Sequence, residues 1–267
     1  GLFLLPFLRI VKYVQGKKEK EDDCMSMNKN LLVISGEITT NPEKRVSPDG
    51  KLKVTRMGLT ISDGAPRITV KSYNNLADKM AELKVGQSIL IIGSLQTTSY
   101  KDNQTNATKY FTEVCCQHFC SSAKNAGVNY FLSVGRNTKD GNFFIGNGEK
   151  KAMYRTSMAV NRSTGANTES ADFIQVLAFD KKAEFLSKWV PKGTAFFAEG
   201  RLSVGTYADK NGETKPSYEL VANSVGFVSD KKGGAAGSQP AATPAQQQNE
   251  APLPAAAGFG GWGDLPM

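Results

Sequence analysis

Apolar and polar positions alternate along LKVTRMGLTIS and again along MYRTSMAVN, the two-residue period of a strand with one face buried. LLVISGEI stands before the first of these and YFLSVG before the second, and both read as strands. Two further strand-like runs follow, RITVKSY (Arg67–Tyr73) and DFIQVLAF (Asp172–Phe179). Each leads into a segment with helical character, NNLADKMAELKV and KKAEFLSKWVPK. After these come GQSILIIGSLQTTSY (Gly86–Tyr100) and GTAFFAEGRLSVGTY (Gly193–Tyr207), which share Gly, a second Gly seven residues on, Leu two further and Tyr five beyond. A polar turn, KDNQTN or ADKNGET, and a last strand, YFTEVCCQ or SYELVANSV, complete each series.

The same elements in the same order at nearly the same spacing are an internal repeat. They predict two homologous units, residues 27–120 and 128–228, joined by the short polar linker 121–127. The expected class is all-β. Five or so strands with one helix between the third and fourth, in about 100 residues, fit a five-stranded Greek-key barrel of the OB type. Strand count alone leaves another small α+β barrel open.

The chain of 267 residues carries 33 Lys and Arg against 25 Asp and Glu, a formal net charge of +8. Residues from 229 onward hold two basic and three acidic side chains, and residues 1–24 hold five and four, so the excess lies in the repeated body. A basic body suits a polyanionic partner. The run KKGGAAGSQPAATPAQQQNEAPLPAAAG has too little apolar surface to offset its ordering entropy, so 229–258 is expected to be a disordered linker and 259–267 a separate tip. GLFLLPFLRIVKYV is apolar but short and broken by Pro6, Arg9 and Lys12, so no membrane span is expected. Residues 1–24 are read as a non-native or disordered extension, with native translation starting at Met25 or Met27.

Four cysteines make no disulfide framework, which fits a reduced cytoplasmic setting. Cys115, Cys116 and Cys120 surround His118 in CCQHFC, but adjacent cysteines on a strand point to opposite faces, and neither metal nor cofactor is expected. With no clustered carboxylates for metal ions and no phosphate-binding Gly-Lys-Ser/Thr loop, the chain reads as a binding protein and not an enzyme.

Phe173, Gln175, Leu177 and Phe179 share one face of their strand, while Ile174, Val176 and Ala178 share the other. The β-branched face suits the interior, which leaves the two rings for a ligand. Tyr100 and Tyr207 sit where strands run into polar hairpins, poorly placed to fill a core. Lys53, Arg56, Arg67 and Lys71 accompany the aromatics in the first unit, and Lys151, Arg155, Arg162 and Arg201 in the second. Rings that stack on unpaired bases beside cations that meet phosphates make a single-strand channel.

MNKNLLVISGEITTNPEKRVSPDGKLKVTRMGLTIS resembles the opening of bacterial single-stranded-DNA-binding proteins, and residues 171–223 resemble the remainder of that domain. The resemblance implies base-stacking roles for Phe173, Phe179 and Tyr207, and for Tyr73 and Tyr100 in the first unit, where the position matching Phe173 lies near Arg67, which is not aromatic. It implies a role in replication, recombination and repair, and a homodimer that assembles four barrels. It also implies a tip, here Trp262, Asp264, Leu265, Pro266 and Met267, that docks replication and repair proteins. A tether of about 30 residues would hold such a tip roughly 30 Å away. Barrels that bind RNA or protein in place of single-stranded DNA are the alternative.

Overall fold

The computed structural model describes residues 28–101, 108–145, 152–162, 170–208, 212 and 214–228. The first unit runs β1 (Lys29–Ile38), β2 (Glu43–Val46), β3 (Lys53–Thr60), β4 (Ile68–Tyr73), α1 (Asn74–Met80), β5 (Ser88–Lys101) and β6 (Thr108–Ser121). The second repeats it with β7 (Asn129–Asn137), β8 (Asn142–Ile145), β9 (Ala152–Asn161), β10 (Ala171–Phe179), α2 (Lys181–Trp189), β11 (Ala195–Ala208) and β12 (Thr214–Phe227).

All twelve strands form one hydrogen-bonded sheet in the order β2-β3-β4-β6-β5-β1-β7-β11-β12-β10-β9-β8. Each half closes on itself, the first through β1 against β3 and the second through β7 against β9. The β4–β6 and β10–β12 pairs are parallel, and every other pair is antiparallel. The result is two five-stranded Greek-key barrels, as the repeat predicts. Each also carries a short extra strand, β2 or β8, that the alternation does not reveal. Both are four residues long and exposed throughout, so no inward–outward pattern marks them.

The repeated glycines have distinct physical causes. Gly86 and Gly193 lie at φ of 85° and 86°, a left-handed turn that a Cβ opposes. Gly93 and Gly200 sit beside β-bulges, where a Cβ would fall on the carbonyl oxygens of Cys115 and Val221. The leucines two residues on, Leu95 and Leu202, point into the barrels and are 1% exposed. Their backbones are gripped by Asn30 and Asn129. Leu95 N–H donates to Asn30 Oδ1 at 3.0 Å and Asn30 Nδ2 donates back at 2.7 Å. The Leu202–Asn129 pair repeats this at 2.8 and 2.9 Å.

Inside the barrels, Leu32, Ile34, Leu59, Ile68 and Ile91 fill the first core, and Phe131, Met158, Ile174 and Phe196 the second, all fully buried. The helical run of the first unit is shorter than its sequence predicts. α1 ends at Met80, and the backbone N–H groups of Glu82 and Leu83 donate to the carbonyls three residues earlier, tightening the last turn before Gly86.

The two units meet along β1 and β7. Leu31 faces Leu132, Leu32 faces Phe131, and Ile34 faces Asn129 as Asn30 faces Ser133, an arrangement nearly symmetric about its centre. A polar joint adds to it. The Asp172 carboxylate, 2% exposed, accepts from Thr97 N at 2.9 Å, from Asn30 Nδ2 at 3.2 Å and from Arg162 Nε at 2.9 Å. Arg162 Nη2 also donates to Thr97 O at 2.6 Å. These contacts tie the start of β10 to β5 of the other unit. Among the described residues no helix is long and apolar enough to cross a membrane.

Candidate nucleic-acid interface

β10 turns Ile174, Val176 and Ala178 into the barrel, where all three are fully buried. The alternate positions, Phe173, Gln175, Leu177 and Phe179, therefore face outward. Phe173 is 47% exposed and Phe179 half-buried. Register places Arg155 of β9 and Val221 of β12 on either side of Leu177, and Arg201 of β11 beyond Val221. Arg155 Nη2 donates to Glu219 Oε1 at 2.8 Å, which orients the guanidinium across the sheet. Arg201 is exposed. Tyr207 is half-buried near the end of β11, opposite Lys215.

The first unit presents the same positions with different chemistry. Tyr73 pairs with Val54 as Phe179 pairs with Met153, and Lys71 pairs with Arg56 as Leu177 pairs with Arg155. Tyr73 is 37% exposed. Lys71, expected to meet phosphates, is 3% exposed, and Glu113, its neighbour on β6, is 4% exposed. Lys71 Nζ stands 3.3 Å from Glu113 Oε2, and Arg56 Nε donates to Glu113 Oε1 at 2.8 Å. The hydrogen bond to Glu113 raises the Arg56 pKa above its ordinary value, outweighing the opposing effect of burial. The Lys71 ammonium also sits 5.8 Å from the centre of the Tyr73 ring.

A ring that the sequence reading passes over joins this face. Phe111 alternates with Glu113 and Cys115 on β6 while Val114 points into the core, so Phe111 faces outward. It lines a pocket of about 280 Å³ with Glu43, Arg45 and Arg56. Its signal was available in YFTEVCCQ, where the period of two puts Phe and Glu together. What hid it is that only tertiary pairing brings Arg56 alongside.

The remaining expected residues divide. Arg67 is exposed, and its methylenes lie across Gly58. Lys53 Nζ is held by Asp78 at 2.8 Å. The Arg162 guanidinium, also expected to meet phosphates, is engaged in the joint with Asp172 and Thr97. The hydrogen bond to Asp172 raises its pKa. Tyr100 pairs with Lys109 in the β5–β6 ladder, but its side chain lies outside the described residues. Lys151 and the tip residues Trp262, Asp264, Leu265, Pro266 and Met267 also lie outside them, as do Met25 and Met27.

Cys115 and Cys116 point to opposite faces as adjacent strand residues must, and both are buried. Among the described residues no group of three His, Cys, Asp or Glu is placed to hold a metal ion. Burial raises the Cys115 thiol pKa and pushes that of Cys116 up to about 12. Cys120 is exposed. Iodoacetamide at pH 8 is therefore expected to modify Cys120 in the native chain and to reach Cys115 and Cys116 only in denaturant. Peptide mapping reads this directly, and native labelling of Cys116 at the rate of Cys120 would contradict it.

The described surface thus offers outward rings and cations on each of two barrels. The model of the single-strand binding protein family matches residues 27–121 and 128–228. A single-stranded DNA-binding protein of Clostridium perfringens is 31% identical over 110 residues, which cover 41% of this chain and 72% of that protein. One from Fusobacterium nucleatum is 36% identical over 104 residues, covering 38% of this chain and 66% of that protein. In three dimensions the chain is similar to the wild-type single-stranded DNA binding protein of Thermus aquaticus, with a TM-score of 0.60 at 20% identity, over 80% of this chain and 99% of that one. That likeness speaks for the tandem OB fold. The family match spans both units, and with the repeat and the paired barrels it places this chain in the single-strand binding protein family.

Proposed function

We propose that the chain binds single-stranded DNA without regard to sequence, protecting and organising it during replication, recombination and repair in the bacterial cytoplasm. The observation that carries this reading is the outward pair Phe173 and Phe179, set beside Arg155 and Arg201 on a sheet whose other side is the core. Stacking on such rings is sequence-tolerant because every base has a flat face. Cations along the strand displace condensed counterions. Arg67, Arg155 and Arg201 are the phosphate contacts best placed for this, with Arg56 at the margin. Units 27–120 and 128–228 act as the two binding domains. The linker 229–258 carries the tip 259–267, through which the chain recruits replication and repair proteins.

The assembly proposed is a homodimer with four barrels. The outward face of β5, β1, β7 and β11 supports it: Leu31, Ile92, Leu132, Val134 and Phe197 are half-exposed there, on an apolar strip that crosses both units. An apolar strip of this kind suits a second copy of the same surface. Sedimentation of the full chain tests it, and a monomer at micromolar concentration would remove it.

Titration with poly(dT) at low salt, followed by aromatic fluorescence, tests the binding itself. Affinity is expected to fall as salt rises, with a log–log slope of about −0.7 per phosphate contacted. Absence of binding at low salt, or preference for a matched RNA strand, would overturn the reading. Truncation after Gly258 is expected to leave this affinity in place and to abolish recruitment of replication enzymes.

A further inference from the structure

The short strands β2 and β8 are the outermost strands of the sheet, and the stacking set above leaves them without a role. Their register gives them one. In the second unit Phe144 pairs with Met153, which pairs with Phe179, so the three lie in one row across β8, β9 and β10. In the first unit Arg45 pairs with Val54, which pairs with Tyr73, the same row. Residues directly opposite on neighbouring strands share a face. Phe144 therefore stands on the same outward surface as Phe179, two strands away, or about 10 Å. It is 44% exposed. An apolar ring left open on an edge strand invites pairing with other chains, which proteins generally avoid.

The equivalent position in the first unit is not apolar. Arg45 lines the pocket of about 280 Å³ with Arg56, Glu43 and Phe111. Its Nη2 is only loosely held by Glu43 Oε2, at 3.8 Å. Counting Glu43 and the buried Lys71–Glu113 pair, this corner keeps a net charge of one positive. A ring in one unit and a cation beside a ring in the other have a common complement: a chain of flat bases on a polyanionic backbone. An apolar protein segment would match β8 and not β2.

We propose that β2 and β8 each hold an additional nucleotide at the outer margin of the strand-binding face. Phe144 stacks on a base in the second unit. Arg45, with Arg56 and the Phe111 ring, receives a nucleotide through its phosphate in the first. The inference rests on the single-stranded DNA reading above and adds contacts that the resemblance does not supply.

The test uses the full chain and a fluorescent oligo(dT), with anisotropy read at several salt concentrations. Phe144→Ala is expected to raise Kd about 5- to 150-fold at every salt, the effect of one lost stack, with an unchanged salt slope. Phe144→Tyr is expected to retain native affinity. Arg45→Ala is expected to make the salt slope shallower by about 0.7. Iodouracil-substituted oligonucleotide should photo-crosslink to the peptide containing Phe144, a readout that does not depend on the stability of a variant. The inference is overturned if Phe144→Ala binds like the native chain while Phe173→Ala weakens binding, or if Phe144→Ala alters only self-association. Failure of the native chain to bind would instead remove the single-stranded DNA reading, and this inference with it.

Discussion

A chain carrying both Phe173→Ala and Phe179→Ala binds oligo(dT) at least about 30-fold more weakly than the native chain, with a melting temperature within a few degrees of it. Each stacked ring contributes roughly 1–3 kcal/mol per base, and every 1.4 kcal/mol is about tenfold in affinity. The two losses should add. Six residues along a strand is about 20 Å, so the rings engage different nucleotides and share no partner. Stability should hold because Phe173 is 47% exposed and the inward side of β10 is untouched. Fluorescence anisotropy measures the first quantity and thermal melting the second. Native affinity in the double variant would show that the strand does not run over β10. A large loss of melting temperature would show that the rings are packing groups.

Glu113→Ala is expected to destabilise the first unit by about 3–5 kcal/mol, the usual consequence of removing one partner from a buried ion pair. That is a large part of the roughly 5–15 kcal/mol that holds a domain together. The reason lies in Lys71, which is 3% exposed and has Glu113 as its neighbouring carboxylate. Arg56 is less affected, since its side chain is 42% exposed and can turn to water. The second unit supplies the control. There Leu177 occupies the place of Lys71, and the Arg155–Glu219 pair stands without a buried lysine. Lys71→Leu should therefore be tolerated, and Lys71→Leu together with Glu113→Ala should recover most of the stability lost by Glu113→Ala alone. Hydrogen exchange at β3 and β4 resolves the first unit from the second, which a single melting curve would not. Equal protection in Glu113→Ala and the native chain would refute the account.

Lys71 also shows where reading residues in order stops. In RITVKSY it falls on the outward side of its strand, and outward cations beside a tyrosine suggest phosphate contact. Its ion pair with Glu113, forty-two residues later, depends on a parallel pairing between β4 and β6 that no local pattern encodes. Arg162 follows the same logic. Its partner Asp172 is near in sequence, but the contact with Thr97 O that fixes its direction belongs to the other barrel. Phe111 is silent in the sequence for the complementary reason: within β6 it is one more aromatic, and it becomes part of a site only when β2 and β3 bring Arg45 and Arg56 to it.

The repeat, by contrast, is legible because its constraints are local. A left-handed turn needs Gly86 and Gly193 whatever surrounds them. The period of two separates Ile174, Val176 and Ala178 from Phe173 and Phe179 before any partner strand is known. Residue order alone is thus enough to reveal two repeated, mostly β units, the core face of β10 and the rings of β10 left outside it. Tertiary structure alone decided which cations remain available, that the barrels share one sheet through β1 and β7, and that the edge strands β2 and β8 line up with Tyr73 and Phe179. Alternation and turn chemistry act over a few residues, whereas charge pairing and register are set between segments the chain brings together only on folding.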